Sequence, residues 1–138
     1  ESVSVHVRRG DYVSNPVVAR FHGVCGLEYY TQAMKMIAQK VASPRFFVFS
    51  DDMEWVKAHF PRMESVLFME HHGQTDADDL RVMTCCKHHI IANSSFSWWG
   101  AWLASSPQKI VIAPQHWINV QTTPNQSHDI FPEHWITL

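Results

Sequence analysis

Glycine is scarce in this chain, with five in 138 residues, and neither Gly-x-x-x-x-Gly-Lys-Ser/Thr nor Gly-x-Gly-x-x-Gly occurs. A P-loop nucleotidase or a dinucleotide dehydrogenase is therefore not expected. Cysteine is equally sparse. Cys25, Cys85 and Cys86 form an odd set with one vicinal pair and no Cys-x-x-Cys spacing, which disfavours a disulfide framework or a zinc knuckle and fits a reducing compartment. Ten histidines include the doublets His71-His72 and His88-His89, but no His-x-x-x-His or His-Glu-x-x-His. Adjacent histidines on a strand point to opposite faces, so no metal site is expected. No run of about 18 apolar residues is present to span a membrane, and the opening residues do not read as a signal peptide. The formal net charge of −2 argues against a general nucleic-acid binder, which needs a basic excess. The first residue is not Met, and a core strand begins almost at once, so a piece of a longer polypeptide is expected.

What is present is enough apolar sequence for one core: 46% of residues are hydrophobic and 17% charged, so one compact domain spanning 1–138 is the default. Five short apolar runs read as strands: Val3–Val7, Arg45–Phe49, Ser65–Met69, His88–Asn93 and Lys109–Ala113. Between them, Leu27, Tyr30, Met34, Ile37 and Val41 recur at helical spacing. Met53–Phe60 predicts a short helix stopped by Pro61, and Phe96–Ala104 another. A third is predicted from Thr75 through Cys86, with Thr75 capping and Asp78 reaching back. Strands alternating with helices imply an α/β, doubly wound, mainly parallel sheet. Asn119–Asp129 reads as a loop, and the apolar stretch Ile130–Ile136 is expected to dock on the domain.

Three constellations carry chemistry. The first is His6-Val7-Arg8-Arg9-Gly10-Asp11-Tyr12, where two guanidinium groups and a carboxylate follow a strand whose alternation puts Ser4, His6 and Arg8 on one side. Ligands of open α/β sheets sit outside the carboxyl ends of the strands, so an anion is the first expectation. Arg9-Gly10-Asp11 also spells an adhesion tripeptide, but a strand end is the wrong setting for one. The second is Asn93-Ser94-Ser95-Phe96-Ser97-Trp98-Trp99. Ser94 or Ser95 is expected to end a buried strand and cap a helix whose positive tip offers free N–H groups to phosphate. That helix is apolar nearly all round and is expected to be wedged between other elements. The third is Phe46–Asp52, a strand running into Asp51 and Asp52. One of these carboxylates is expected to cap the next helix, while the other accepts a planar donor pair such as guanine presents.

These blocks, with Asp79–Cys86, His89–Leu103 and Val111-Ile112-Ala113-Pro114 followed by Trp117, resemble the alpha-1,2-fucosyltransferases of glycosyltransferase family 11 in order and spacing along essentially the whole chain. The resemblance implies a GT-B-type enzyme of two Rossmann-like domains using GDP-fucose, this chain being the C-terminal, donor-binding half and an acceptor-side half lying outside it. It implies inverting transfer of L-fucose to the 2-hydroxyl of a terminal galactose on a glycan, without a divalent metal. Arg9 is the first choice to hold the departing diphosphate and Arg8 the second, with Asp11, His22 or Glu28 as the proton acceptor. Ser94, Ser95 and Phe96 would face the phosphates, His6 with Asp51 or Asp52 the guanine or ribose, and Asn93 is placed in the same substrate-binding set. A non-catalytic nucleotide- or glycan-binding module, or another GDP-sugar transferase, is the alternative. A cytoplasmic enzyme at the inner face of a bacterial membrane is expected, with an anchored Golgi protein as the alternative.

Overall fold

The computed structural model describes residues 1–70, 75–119 and 130–138. Six strands, all parallel, form one sheet in the order β3-β2-β1-β4-β5-β6. They are β1 (Ser2–Val7), β2 (Arg45–Ser50), β3 (Val66–Phe68), β4 (His88–Ile90), β5 (Val111–Ala113) and β6 (Ile136–Thr137). This is the Rossmann-like, doubly wound order, in which the chain reverses direction across the sheet between β1 and β4. The expected docking of the terminal stretch takes the form of a sixth strand: β6 pairs with β5, and Leu138 donates to Ala113 O at 3.0 Å.

Alternation along β1 sorts its side chains between two layers. Val3, Val5 and Val7 are fully buried in a cluster with Tyr30, Ala33, Met34 and Ile37 of α3 (Leu27–Lys40) and Val56 of α4 (Met53–His59). Each such valine contributes roughly 1.5–3 kcal/mol by leaving water. Ser4 and His6 face the other layer, where Ser4 Oγ meets His89 Nδ1 at 2.8 Å and the His6 ring lies 5.3 Å from that of Phe96. That layer holds α5 (Asp76–Thr84) and α6 (Ser95–Leu103). Gly100 lets these two helices close: a Cβ there would come within 3.2 Å of Met83 Cε.

Two short helices, α1 (Gly10–Ser14) and α2 (Pro16–His22), lie where no helix was expected. The signal for α2 was present, since Asn15 caps Val17 and Val18 and Pro16 occupies the first turn. The expected Thr75–Asp78 capping box is formed. The expectation that α6 is wedged on all sides fails. Trp99, Trp102 and Leu103 stand about half exposed, while Ser97, Gly100 and Ala101 make its buried side. The predicted loop Asn119–Asp129, apart from Asn119, and the His71-His72 doublet lie outside the described residues.

Candidate functional site

All six strands run the same way, so their carboxyl ends share one edge of the sheet. Along that edge Arg8 and Arg9 leave β1 beside Asp51 and Asp52 leaving β2. Arg8 bonds Asp11 through Nη2 at 2.6 Å and Asp51 through Nη1 at 2.9 Å, and its guanidinium lies 5.3 Å over the Tyr12 ring. Arg9 donates its backbone N–H to Asp51 at 2.8 Å and its Nε to Asp52 at 3.1 Å. Asp52 also accepts from Trp55 N at 3.1 Å and so is the cap of α4. Gly10 permits this crowding, because a Cβ at that position would sit 2.5 Å from Asp51 Oδ2.

A cavity of about 150 Å³ opens at this place. His6, Arg8 and Phe96 line one side, Phe49, Ser50 and Asp51 another, and Asp76 with Asp79 bring two carboxylates from the start of α5. The two arginines therefore part company. Arg8 faces the cavity, whereas the Arg9 guanidinium lies 3.8 Å over the Trp55 ring, in a stacked and partly desolvated position. Strand alternation held the signal for this difference, since Arg8 shares its side of β1 with His6. His6 is 4% exposed and its Nδ1 has no hydrogen-bond partner among the described residues. Burial, reinforced by the Arg8 charge, pushes its imidazole down to about 3, so the ring is neutral at physiological pH.

Phe96 brings the tip of α6 to the same cavity. Ser94 is the N-cap residue, but its side chain makes no capping bond. Among the described residues the first N–H of this segment with an acceptor is that of Trp98, to Ser94 O at 3.0 Å. The N–H groups of Ser95, Phe96 and Ser97 are thus left without one, as an anion-binding helix tip requires. Ser95 is exposed and Ser94 buried. Ser97 braces the turn by donating to Ser94 O at 3.2 Å.

The remaining expected residues are dispersed. Asn93 is 3% exposed and turned inward: its Nδ2 donates to the carbonyls of His22, Gly23 and Trp117, and its Oδ1 accepts from the Cys25 thiol. It clasps loops instead of facing the charged cavity. Glu28 lies on a separate depression with Leu27, Thr31, Gln32 and Lys35. The His22 ring stacks on that of Tyr12 at 4.6 Å, away from the acidic groups. Asp76 and Asp79 were not among the expected site residues. Asp79 was legible only as part of the longer block, because nothing local in a capped helix start distinguishes a cavity carboxylate from a solvated one.

Comparison with known proteins bears on this geometry directly. A protein-family model described as "Glycosyl transferase family 11" matches residues 1–138. An "Alpha-1,2-colitosyltransferase" of Escherichia coli is 45% identical over 99% of this chain and 47% of its own length. The "O-antigen biosynthesis glycosyltransferase WbnK" of the same species is 36% identical over 99% of this chain and 44% of its own. The human "Galactoside alpha-(1,2)-fucosyltransferase 1" is 36% identical over 74% of this chain and 28% of its own. The chain thus spans less than half the length of the curated relatives it matches. Comparison with solved structures finds no significant match. With the Rossmann-like sheet, the arginine-bearing strand end and the open helix tip in place along the full matched length, the chain belongs to glycosyltransferase family 11.

Proposed function

We propose that this chain binds the GDP-sugar donor of an inverting, metal-independent transferase that moves L-fucose to the 2-hydroxyl of a terminal galactose on a glycan. One observation carries the reading: Arg8 and the open N-terminus of α6, through Phe96, converge on a single cavity at the carboxyl edge. As the acceptor oxygen bonds the anomeric carbon, the bond from that carbon to the β-phosphate oxygen breaks and the diphosphate gains charge. Arg8 and the N–H groups of Ser95 and Phe96 receive that charge. The acidic end of the cavity suits the opposite partners. Asp76, at the start of α5, accepts from the N–H edge of guanine, because Asp51 and Asp52 are already tied to the arginines. Asp11, half open to solvent and bonded to Arg8, takes the hydroxyl proton of the acceptor.

A second donor is favoured by one specific finding, since the relative at 45% identity is named for colitosyl transfer. Parallel assays with GDP-fucose and GDP-colitose, using a longer polypeptide that carries this chain, separate the two. A non-catalytic module binds GDP and releases none from either donor.

The reading is tested on the chain itself by thermal unfolding with GDP. At about 100 times its dissociation constant GDP adds roughly 2.7 kcal/mol of stability. Arg8→Ala abolishes this gain, Arg9→Ala retains most of it, and a chelator changes nothing. A gain lost in Arg9→Ala and kept in Arg8→Ala reverses the assignment, and a strict need for manganese ends the metal-free mechanism. In the transferase reaction the Arg8 deletion is expected to cost about 3–4 kcal/mol, a factor of 10²–10³ in rate.

A further inference from the structure

The carboxyl edge carries a second cavity, of about 310 Å³, on the β4–β5 side. Its chemistry is the reverse of the first: none of its lining residues is Asp, Glu, Lys or Arg. Val24, Pro114 and Ile118 supply apolar wall. Gln115 and His116 stand exposed at the rim, and their side chains have no hydrogen-bond partner among the described residues. The floor is fixed by bonds already made. Asn93 holds three carbonyls, and the Tyr29 hydroxyl reaches Ile91 O at 2.7 Å and Ile112 O at 3.1 Å. A rigid apolar wall with a few free polar groups at its mouth is how small neutral ligands are held, and the volume lies at the lower end for such sites.

The two cavities are joined by a continuous stack. Arg8, in the first, lies over Tyr12 at 5.3 Å, and Tyr12 stacks on His22, in the second, at 4.6 Å and 11°. The Tyr12 hydroxyl is anchored on Asn93 O at 3.1 Å. A molecule in the second cavity is therefore one tyrosine away from the guanidinium assigned to the departing diphosphate. A phosphate has no fixed cation to meet there. The lining offers what the two surfaces of a pyranose require, apolar wall at Val24 and Ile118 for its C–H face and polar side chains at Gln115 and His116 for its hydroxyls.

We propose that this cavity is a subsite for a neutral hexopyranose, the sugar that accepts the transferred group. The assignment of the occupant as acceptor rests on the transferase reading above, whereas the cavity's taste for an uncharged sugar does not. Saturation-transfer NMR on the chain with millimolar methyl β-D-galactopyranoside reads the sugar directly. The signal is expected to fall at least fivefold in Val24→Trp, which fills the cavity, and in the double variant Gln115→Ala/His116→Ala, while the thermal shift with GDP is kept in both. Arg8→Ala is expected to do the converse. A sugar signal that is absent, or that survives both cavity variants, overturns the subsite whatever GDP does. Loss of GDP binding with the sugar signal intact overturns the donor reading and leaves the subsite standing. Should Val24→Trp fail to fold, the double variant at the exposed rim decides alone.

Discussion

The β1–β2 side and the β4–β5 side of one sheet edge hold their loops in opposite ways. Where β1 and β2 end, four carboxylate and guanidinium groups, those of Arg8, Arg9, Asp51 and Asp52, carry the contacts. Where β4 and β5 end, neutral side chains bond directly to backbone carbonyls, through Asn93, Tyr29 and Tyr12. The difference matters for function. A part-exposed ion pair is worth little net energy and exchanges one anion for another at small cost, so the Arg8 pair with the more exposed Asp11 can yield to a phosphate while the pair with Asp51 keeps the guanidinium in place. Buried neutral bonds have no such substitute, and breaking them strands polar groups away from water. One side is built to trade partners and the other to stay put.

The largest expected effect that tests this contrast is at Asn93. Asn93→Ala leaves three carbonyls and a thiol without their partner and is expected to destabilise the chain by about 3 kcal/mol, a fall of roughly 10 °C in Tm. The additional stability conferred by GDP should remain. Calorimetric scans with and without GDP check both, and an unchanged Tm would remove the distinction between the two sides.

The two sides share one sensitivity, which pH exposes. Burial, then the Arg8 charge, holds His6 down to about 3, and burial, then Lys109, does the same for His89. Between pH 6.5 and about 3 the unfolded chain binds protons that the folded chain refuses, so stability is full above pH 6.5 and falls as the pH drops through that window. The slope is up to about 1.4 kcal/mol per pH unit for each imidazole. His6→Gln should remove about half of the combined slope, as read from urea unfolding at pH 7, 6 and 5. An unaltered slope would show that the His6 ring is not held neutral.

The smallest effect sharpens the charged side alone. In Gly10→Ala the new Cβ meets the end of the Asp51 side chain, which can swing away, so the stability cost is expected to stay below about 1 kcal/mol. GDP should nevertheless bind severalfold more weakly, because Asp51 no longer orients Arg8. Titration calorimetry at constant Tm reads this. An unchanged affinity would mean that Asp51 is dispensable to the site.

The frame of the fold was legible where pattern and burial agree. The alternation of Val3, Val5 and Val7 predicts a central strand, and the spacing of Tyr30, Met34 and Ile37 predicts the helix that covers it. Strand lengths were less legible: the apolar run His88–Asn93 is strand over His88–Ile90, with Ile91 N still donating to Ile112 O at 2.9 Å, and Asn93 turns away to its clasp. Helix α1 has no apolar period to show. Trp99 and Trp102 illustrate the limit of composition, since an apolar side chain does not reveal whether anything covers it. At the site, Arg8, Asp51 and Phe96 lie at segment ends that the sequence marks, and they line one cavity, whereas the contact of Arg9 with Trp55 joins residues far apart in sequence and has no local signal.

Strand β1 has a consequence in time as well as in space. It is the central strand of the order β3-β2-β1-β4-β5-β6, yet it precedes all its neighbours in the chain, and its partners begin only at Arg45 and His88. During synthesis α3 follows soon enough to cover Val3, Val5 and Val7, but both backbone edges of β1 must wait, unpaired, until those distant segments emerge. Such non-local pairing makes for slow assembly, so the same topology that gathers the site onto one edge also makes its first strand the one longest at risk of premature association.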